Sequence, residues 1–256
     1  MNIPGAVTDP DSIDGGATTV DTDDGRLGGY MARPDGPGPH PGVVIVHEAF
    51  GLVEHERDLA RRFAQAGYIA LAPDLYSRVG PPDMADMASV FATMLSLPDS
   101  RAMADLDACC TTVRAGDTSN GRVAMIGFCS GGRQTLLHAT SSGAADAYVP
   151  CWGGFIDRAG PDDETTENRP DKVIDLVADI TAPVFLVGGA EDQNPSPAVL
   201  AEVTRRIAEA NHTVQTKIYA DAGHAFLADY REGHWREAPA HELWDDVMAF
   251  FARTLG

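Results

Sequence analysis

Gly127-Phe128-Cys129-Ser130-Gly131 sets a cysteine among small residues in a G-x-nucleophile-x-G frame. That spacing suits a tight turn from a strand into a helix, which thrusts the central side chain outward at a strained backbone angle. A helix N-terminus beneath the sulfur favours thiolate, and the amide of Ser130 can donate to an oxyanion. The plainer alternative is a buried cysteine on a glycine-rich turn. A nucleophile elbow calls for an acid and then a histidine later in the chain, each in a loop after a strand. Asp192 follows the aliphatic run 183–189, and His224 follows Val214–Tyr219, in that order. Singly, Asp192 reads as a turn or helix cap before Pro195 and His224 as a turn histidine. Together their order and placement point to nucleophilic acyl transfer. Glu48 ends the run 43–47, where a carboxylate reaches the same crevice and can pair with a resting thiol or imidazole. As structure alone, it caps the helix that follows. The amide of Ala49, in the loop after that strand, is the second candidate oxyanion donor.

These residues need a scaffold that brings strand ends together. Residues 42–47 form a continuous aliphatic run, as expected of a strand buried on both faces of a parallel sheet. Strands are also expected at 29–33, 68–72, 122–127, 147–150, 183–188 and Val214–Tyr219, and helices at 57–66, 84–97, 100–115, 131–139, 196–211 and 238–255. Alternating strand and helix predict an α/β fold: one mostly parallel, doubly wound sheet with helices on both faces, in a single domain over residues 26–256. Residues 1–25, rich in Gly, Asp and Thr, are expected to fray, with a short strand near 17–20. The acidic, proline-containing segment 157–175 reads as a surface excursion.

Composition narrows the function. The chain of 256 residues is 44% apolar and 22% charged, ordinary globular usage. Asp and Glu number 38 against 19 Lys and Arg, a net charge of −19. Such a field repels phosphate backbones and anionic lipid, so neither nucleic acid nor membrane is expected as a partner. Residues 1–16 hold no basic, apolar leader pattern, and a cytoplasmic location is expected. Four cysteines in a chain of this length make no disulfide framework, and no C-x-x-C pair suggests zinc. Adjacent Cys109 and Cys110 read as small buried hydrophobes of a helix. The histidines show no ligand spacing. Near the expected mouth stand Phe50, Tyr76, Trp152, Phe226 and Trp235; each is a candidate for pocket lining or for core, with Phe50 and Trp152 favoured as lining.

The segments 47–51 (His-Glu-Ala-Phe-Gly), 72–76 (Ala-Pro-Asp-Leu-Tyr), 127–132 (Gly-Phe-Cys-Ser-Gly-Gly), 189–192 (Gly-Ala-Glu-Asp) and 222–226 (Ala-Gly-His-Ala-Phe) together resemble the dienelactone hydrolase family, the carboxymethylenebutenolidases. The resemblance runs from about Gly29 to the C-terminus. It implies an α/β-hydrolase fold and a carboxylic ester hydrolase whose triad maps onto Cys129, Asp192 and His224. The family's glutamate maps onto Glu48 and takes the thiol proton; its oxyanion donors map onto the amides of Ala49 and Ser130. No metal or organic cofactor is implied, and the partner is a small-molecule ester or lactone, with the protein a monomer or small homo-oligomer. Arg57 matches a family arginine that orients the glutamate, or is simply a solvated helix-face charge. Members acting on dienelactone carry arginines for the substrate carboxylate, one of them four residues after the histidine. Here that position is Ala228, and no arginine lies between Arg78 and Arg101. Two other readings follow: an esterase or thioesterase for small neutral acyl substrates, and a non-catalytic ligand-binding or redox-sensing member of the fold.

Overall fold

Val43, Val44, Ile45 and Val46 are all fully buried, and their side chains alternate between two apolar layers. That alternation is the period of an extended chain and places this strand between two layers of helices. The protein is seen in a computed structural model that describes all residues except Met1 and Asn211. Among the described residues the strands are β1 (Ile13–Thr22), β2 (Gly25–Pro34), β3 (His40–Val46), β4 (Ile69–Pro73), β5 (Ser119–Phe128), β6 (Ala147–Cys151), β7 (Val184–Gly189) and β8 (Val214–Tyr219). The helices are α1 (Glu54–Gln65), α2 (Met87–Ser96), α3 (Asp99–Arg114), α4 (Ser130–Ser141), α5 (Val173–Leu176), α6 (Pro197–Glu209) and α7 (Glu237–Leu255).

The strands form one sheet in the order β1-β2-β4-β3-β5-β6-β7-β8. β1, β2 and β4 pair antiparallel, and every pairing from β4 through β3 to β8 is parallel. On one face α3, α4 and α6 cover Val44, Val46, Met125 and Leu186; on the other α1 and α7 cover Val43, Ile45, Ile126 and Phe185. α7 buries Leu243, Val247, Phe250 and Phe251, the helical spacing that a core-facing stripe requires. Cys109 and Cys110 are buried in α3, where desolvation pushes both thiols up. A parallel sheet puts the carboxyl ends of β3, β5, β7 and β8 along one rim. The loops leaving those ends carry Glu48, Cys129, Asp192 and His224.

Two segments depart from the sequence expectation. The stretch 13–22, expected to fray apart from residues 17–20, is a ten-residue edge strand paired along its whole length with β2. Most of its side chains face water, so it lacks the apolar alternation by which a strand is recognised; backbone pairing and the turn at Gly25 (φ 99°) hold it. The segment 157–175 is not all surface, because Ala159, Arg169 and Val173 are buried. Helix ends shift by a few residues. α1 begins at Glu54 because Glu56 Oε2 accepts the Val53 amide at 3.2 Å, and α6 stops at Glu209, while Asn211, the expected end of that helix, lies outside the described residues.

Candidate active site

Cys129 stands at the junction of β5 and α4 with φ 54°, a region costly for a residue bearing a Cβ. The junction closes because its neighbours have no side chains. A Cβ on Gly127 would strike the Gly131 carbonyl, one on Gly131 would strike the carbonyls of Val46 and His47, and one on Gly132 would strike the Cys151 carbonyl. The glycines thus press α4 against β3 and β6, so its N-terminal amides rise directly behind the sulfur. Cys129 is partly exposed, unlike the buried Cys109, Cys110 and Cys151.

The loops after β7 and β8 are stitched together. Ala190 and Glu191 donate their amides to the carbonyls of Tyr219 and Ala222, each at 2.9 Å. This brings His224 Nδ1 to 2.9 Å from Asp192 Oδ2, while Asp192 Oδ1 accepts the Asn194 amide at 2.9 Å. With only 3% of its surface exposed, the Asp192 carboxylate is held in one orientation. The other side of the imidazole faces the Cys129 sulfur. Burial alone would lower the pKa of His224, but the facing sulfur and the Asp192 carboxylate outweigh it and raise it to about 11. Cys129, His224 and Asp192 therefore form one continuous line of contacts, with a favoured imidazolium in the middle.

Glu48 is 2% exposed and points at a different set of partners. Its Oε2 accepts the Tyr230 hydroxyl at 3.1 Å and lies 3.6 Å from Arg231 Nη1. Arg57 makes no such contact: it is half exposed and approaches Glu54 at 4.0 Å, so the solvated-charge reading describes it. Sequence reading missed Tyr230 and Arg231, although both stand in the turn after His224, past the position of Ala228. A second carboxyl lies behind Glu48. Burial pushes Glu56 up to about 7, with His55 drawing it down and Glu48 pushing it further up.

A cavity of about 190 Å³ opens above the sulfur, walled by Cys129, Ser130, Ala49 and His224 on the sheet side. Ala49 and Ser130, whose amides are the candidate oxyanion donors, both stand in that wall. Phe50 lines it. Tyr76, Trp152 and Phe226 do not. Trp152 and Phe226 stack at 4.7 Å in the core beneath the rim, each at most 1% exposed, and Tyr76 lies buried under His47 and Ser130. Trp235 packs against the same core layer. Large aromatics near strand ends fill the gap between sheet and loops before any pocket begins. The apolar wall comes instead from Met87, Val90, Phe91 and Met94 on α2, with Phe155 from the loop after β6. Their i, i+3, i+4, i+7 spacing is visible in the sequence but equally describes a core stripe. Arg133, Arg169, Asn194 and Arg231 complete the lining. Among the described residues no group of acidic, histidine and cysteine side chains is placed to hold a metal ion, and no helix is long and apolar enough to cross a membrane.

Comparison with known proteins agrees with this architecture. The profile of the dienelactone hydrolase family matches residues 27–255. A Salmonella typhimurium protein named "putative carboxymethylenebutenolidase" is 34% identical, the match covering 99% of this chain and 93% of the relative. The crystal structure of a "putative dienelactone hydrolase" from Klebsiella pneumoniae superposes with TM-score 0.85 at 35% identity, covering 94% of this chain and 99% of that one. A dienelactone hydrolase-like promiscuous phosphotriesterase from metagenomic libraries gives TM-score 0.76 at 26% identity, over 94% of this chain and 99% of that one. With an α/β-hydrolase sheet and a family match over nearly its whole length, the chain belongs to the dienelactone hydrolase family.

Proposed function

We propose that this hydrolase cleaves a small carboxylic ester or lactone by nucleophilic catalysis from Cys129. The observation that carries the reading is the position of His224, bonded to Asp192 on one side and facing the Cys129 sulfur on the other. The thiol proton passes to the imidazole, and Asp192 stabilises the resulting cation. The thiolate attacks the carbonyl carbon, forming the S–C bond as the π electrons pass to oxygen. The amides of Ala49 and Ser130 receive that oxyanion. On collapse the C–O bond breaks, and the leaving alkoxide takes the proton from His224. Water then gives a proton to His224 and attacks the thioester; collapse of the second intermediate releases the acid and restores the thiolate. Glu48, held by Tyr230 and Arg231, is the alternative acceptor of the thiol proton that the family resemblance implies. No metal or organic cofactor enters any of these steps.

Brief mixing with 4-nitrophenyl acetate, followed by intact-mass analysis, should show an acetyl adduct on Cys129 with 4-nitrophenol release. Cys129→Ala should lose the adduct and lower turnover by about 10³-fold or more. Undiminished turnover by Cys129→Ala would refute the scheme.

A further inference from the structure

The peptide group between Glu48 and Ala49 has one end in the cavity wall and the other in the protein. Ala49 stands in that wall, and among the described residues its amide donates to no protein acceptor. The Glu48 carbonyl, at the other end of the group, lies 2.6 Å from His47 Nδ1 and accepts the Gly51 amide at 3.2 Å. The bond is trans, so its oxygen and its N–H point in opposite directions. Whatever fixes the oxygen therefore aims the amide. His47 is itself fixed: it is 2% exposed, its ring meets that of Tyr76 edge-on with centroids 4.8 Å apart, and its Nε2 lies 3.1 Å from the amide nitrogen of Leu75, in the loop after β4. A backbone N–H can only donate, so Nε2 is the bare nitrogen and the ring hydrogen sits on Nδ1, donated to the Glu48 carbonyl. Burial lowers the pKa of His47 and favours this neutral ring, against the pull of the Asp74 and Glu48 carboxylates.

The Leu75 amide, the imidazole and the Glu48–Ala49 peptide thus form one chain of donors and acceptors that ends at the cavity, each member polarised by the one before it. A peptide oxygen that takes two hydrogen bonds leaves its N–H the better donor. Satisfying the Leu75 amide needs only an acceptor and does not account for the donor at the other side of the ring. The carbonyl of His47 also lies against Gly131, where a Cβ would strike it, so the loop of Ala49 and the turn of Ser130 are held against each other. Resting on the ester-hydrolase reading above, we propose that His47 is a positioning residue that acts through the Glu48–Ala49 peptide, aiming and strengthening the Ala49 amide as a donor to the oxyanion. His47 does not itself line the cavity.

Asparagine carries an amide nitrogen where the ring has Nδ1, so His47→Asn keeps the donor to Glu48 and gives up the Leu75 contact, whereas His47→Leu gives up both. The two variants share the cost at Leu75 and differ in the bond under test. Acylation of Cys129 by 4-nitrophenyl acetate builds an oxyanion; alkylation by iodoacetamide does not. In single-turnover assays His47→Leu should slow acylation by about 10- to 100-fold, less than the loss of a whole oxyanion donor, and leave alkylation within about twofold of the wild type. His47→Asn should recover acylation to within about fivefold. Equal slowing of acylation and alkylation would show that His47 only shapes the surroundings of the sulfur and would overturn the proposal, as would an asparagine variant no faster than the leucine one. Should His47→Leu not fold, nitrogen-15 NMR of the wild-type imidazoles, with His47→Asn identifying the signal, decides together with acylation by His47→Asn. A hydrogen on Nδ1 with acylation retained supports the proposal, and a hydrogen on Nε2 or lost acylation overturns it. The adduct on Cys129 separates the two levels: equally fast acylation of the wild type and His47→Leu sinks the role of His47 alone, and no adduct in the wild type sinks the hydrolytic reading beneath it.

Discussion

The hydroxyl of Tyr230 donates to Glu48 Oε2 at 3.1 Å, and the Tyr230 ring lies 5.1 Å from that of His55. The residue before it, Asp229, binds His55 Nδ1 at 3.0 Å and Arg62 Nη2 at 2.7 Å through its two oxygens. The turn after His224 is thereby fastened to α1, and it presents Tyr230 and Arg231 to the glutamate. Partial burial, with the carboxylates of Glu48 and Glu56 nearby, pushes the Tyr230 phenol upward, so it stays a donor across the working range.

Removing that donor should loosen Glu48 without disturbing the Cys129, His224 and Asp192 line. Tyr230→Phe is expected to lower kcat/KM by roughly tenfold, the scale of one hydrogen bond to a charged acceptor. Steady-state kinetics beside a thermal melt checks this; unchanged kinetics would mean that Arg231 alone holds the glutamate.

Asp192→Asn keeps an acceptor for the Asn194 amide, so the loop should hold its shape, but an amide cannot stabilise the imidazolium between itself and the sulfur. Turnover should fall by about 10³- to 10⁴-fold with little change in melting temperature. A drop of tenfold or less in single-turnover assays would mean that the proton rests elsewhere.

Glu56 makes stability depend on pH. Its folded-state pKa is raised from 4.5 to about 7, so the folded protein holds that proton more tightly than the unfolded chain. The contribution is fully present below about 4.5 and is lost as pH rises through 7, a swing of about 3 kcal/mol at most. Glu56→Gln keeps the acceptor for the Val53 amide and cannot ionise. Its stability relative to the wild type should therefore improve between pH 4.5 and 8. Urea unfolding at both pH values tests this, and parallel pH curves would contradict it.

Gly131→Ala drives a methyl group into the carbonyls of Val46 and His47, backbone that is locked in the centre of the sheet. A loss of about 1–3 kcal/mol or more is expected. Gly143→Ala, with nothing within 4 Å of the added carbon, should stay within about 0.5 kcal/mol. Denaturation midpoints for the pair compare close approach with mere substitution.

How much of this the sequence disclosed follows from which forces leave a local trace. The aliphatic strands β3, β5 and β7 are readable because burial on both faces demands unbroken apolar runs. Cys129 and Asp192 are readable because each follows such a run, and His224 because it follows the strand β8 in the chain order an elbow requires; the folded chain brings the three together. β1 left no such trace, since an edge strand exposed along most of its length is specified by pairing rather than by pattern. The cavity wall left an ambiguous one. Met87, Val90, Phe91 and Met94 have the spacing of a core helix, and only the fold turns that stripe toward the sulfur. The burial of Arg169 left no trace, because in sequence it is a single charge within an acidic segment and its burial is a three-dimensional fact.

The two bonds from Arg169 to the carbonyls of Ala159 and Met94 tie the excursion to α2, Arg169 and Met94 standing 75 positions apart in the chain. Neither segment contains Cys129, Asp192 or His224, and neither belongs to the sheet. The residues proposed for catalysis and the apolar cavity wall thus lie in separate stretches of sequence: the rim can stay fixed while the wall is rewritten. The wall itself is less free. A substitution that moves the excursion carries α2 with it through one side chain, so variants with altered substrate range should arise as paired changes in these two segments rather than as single ones.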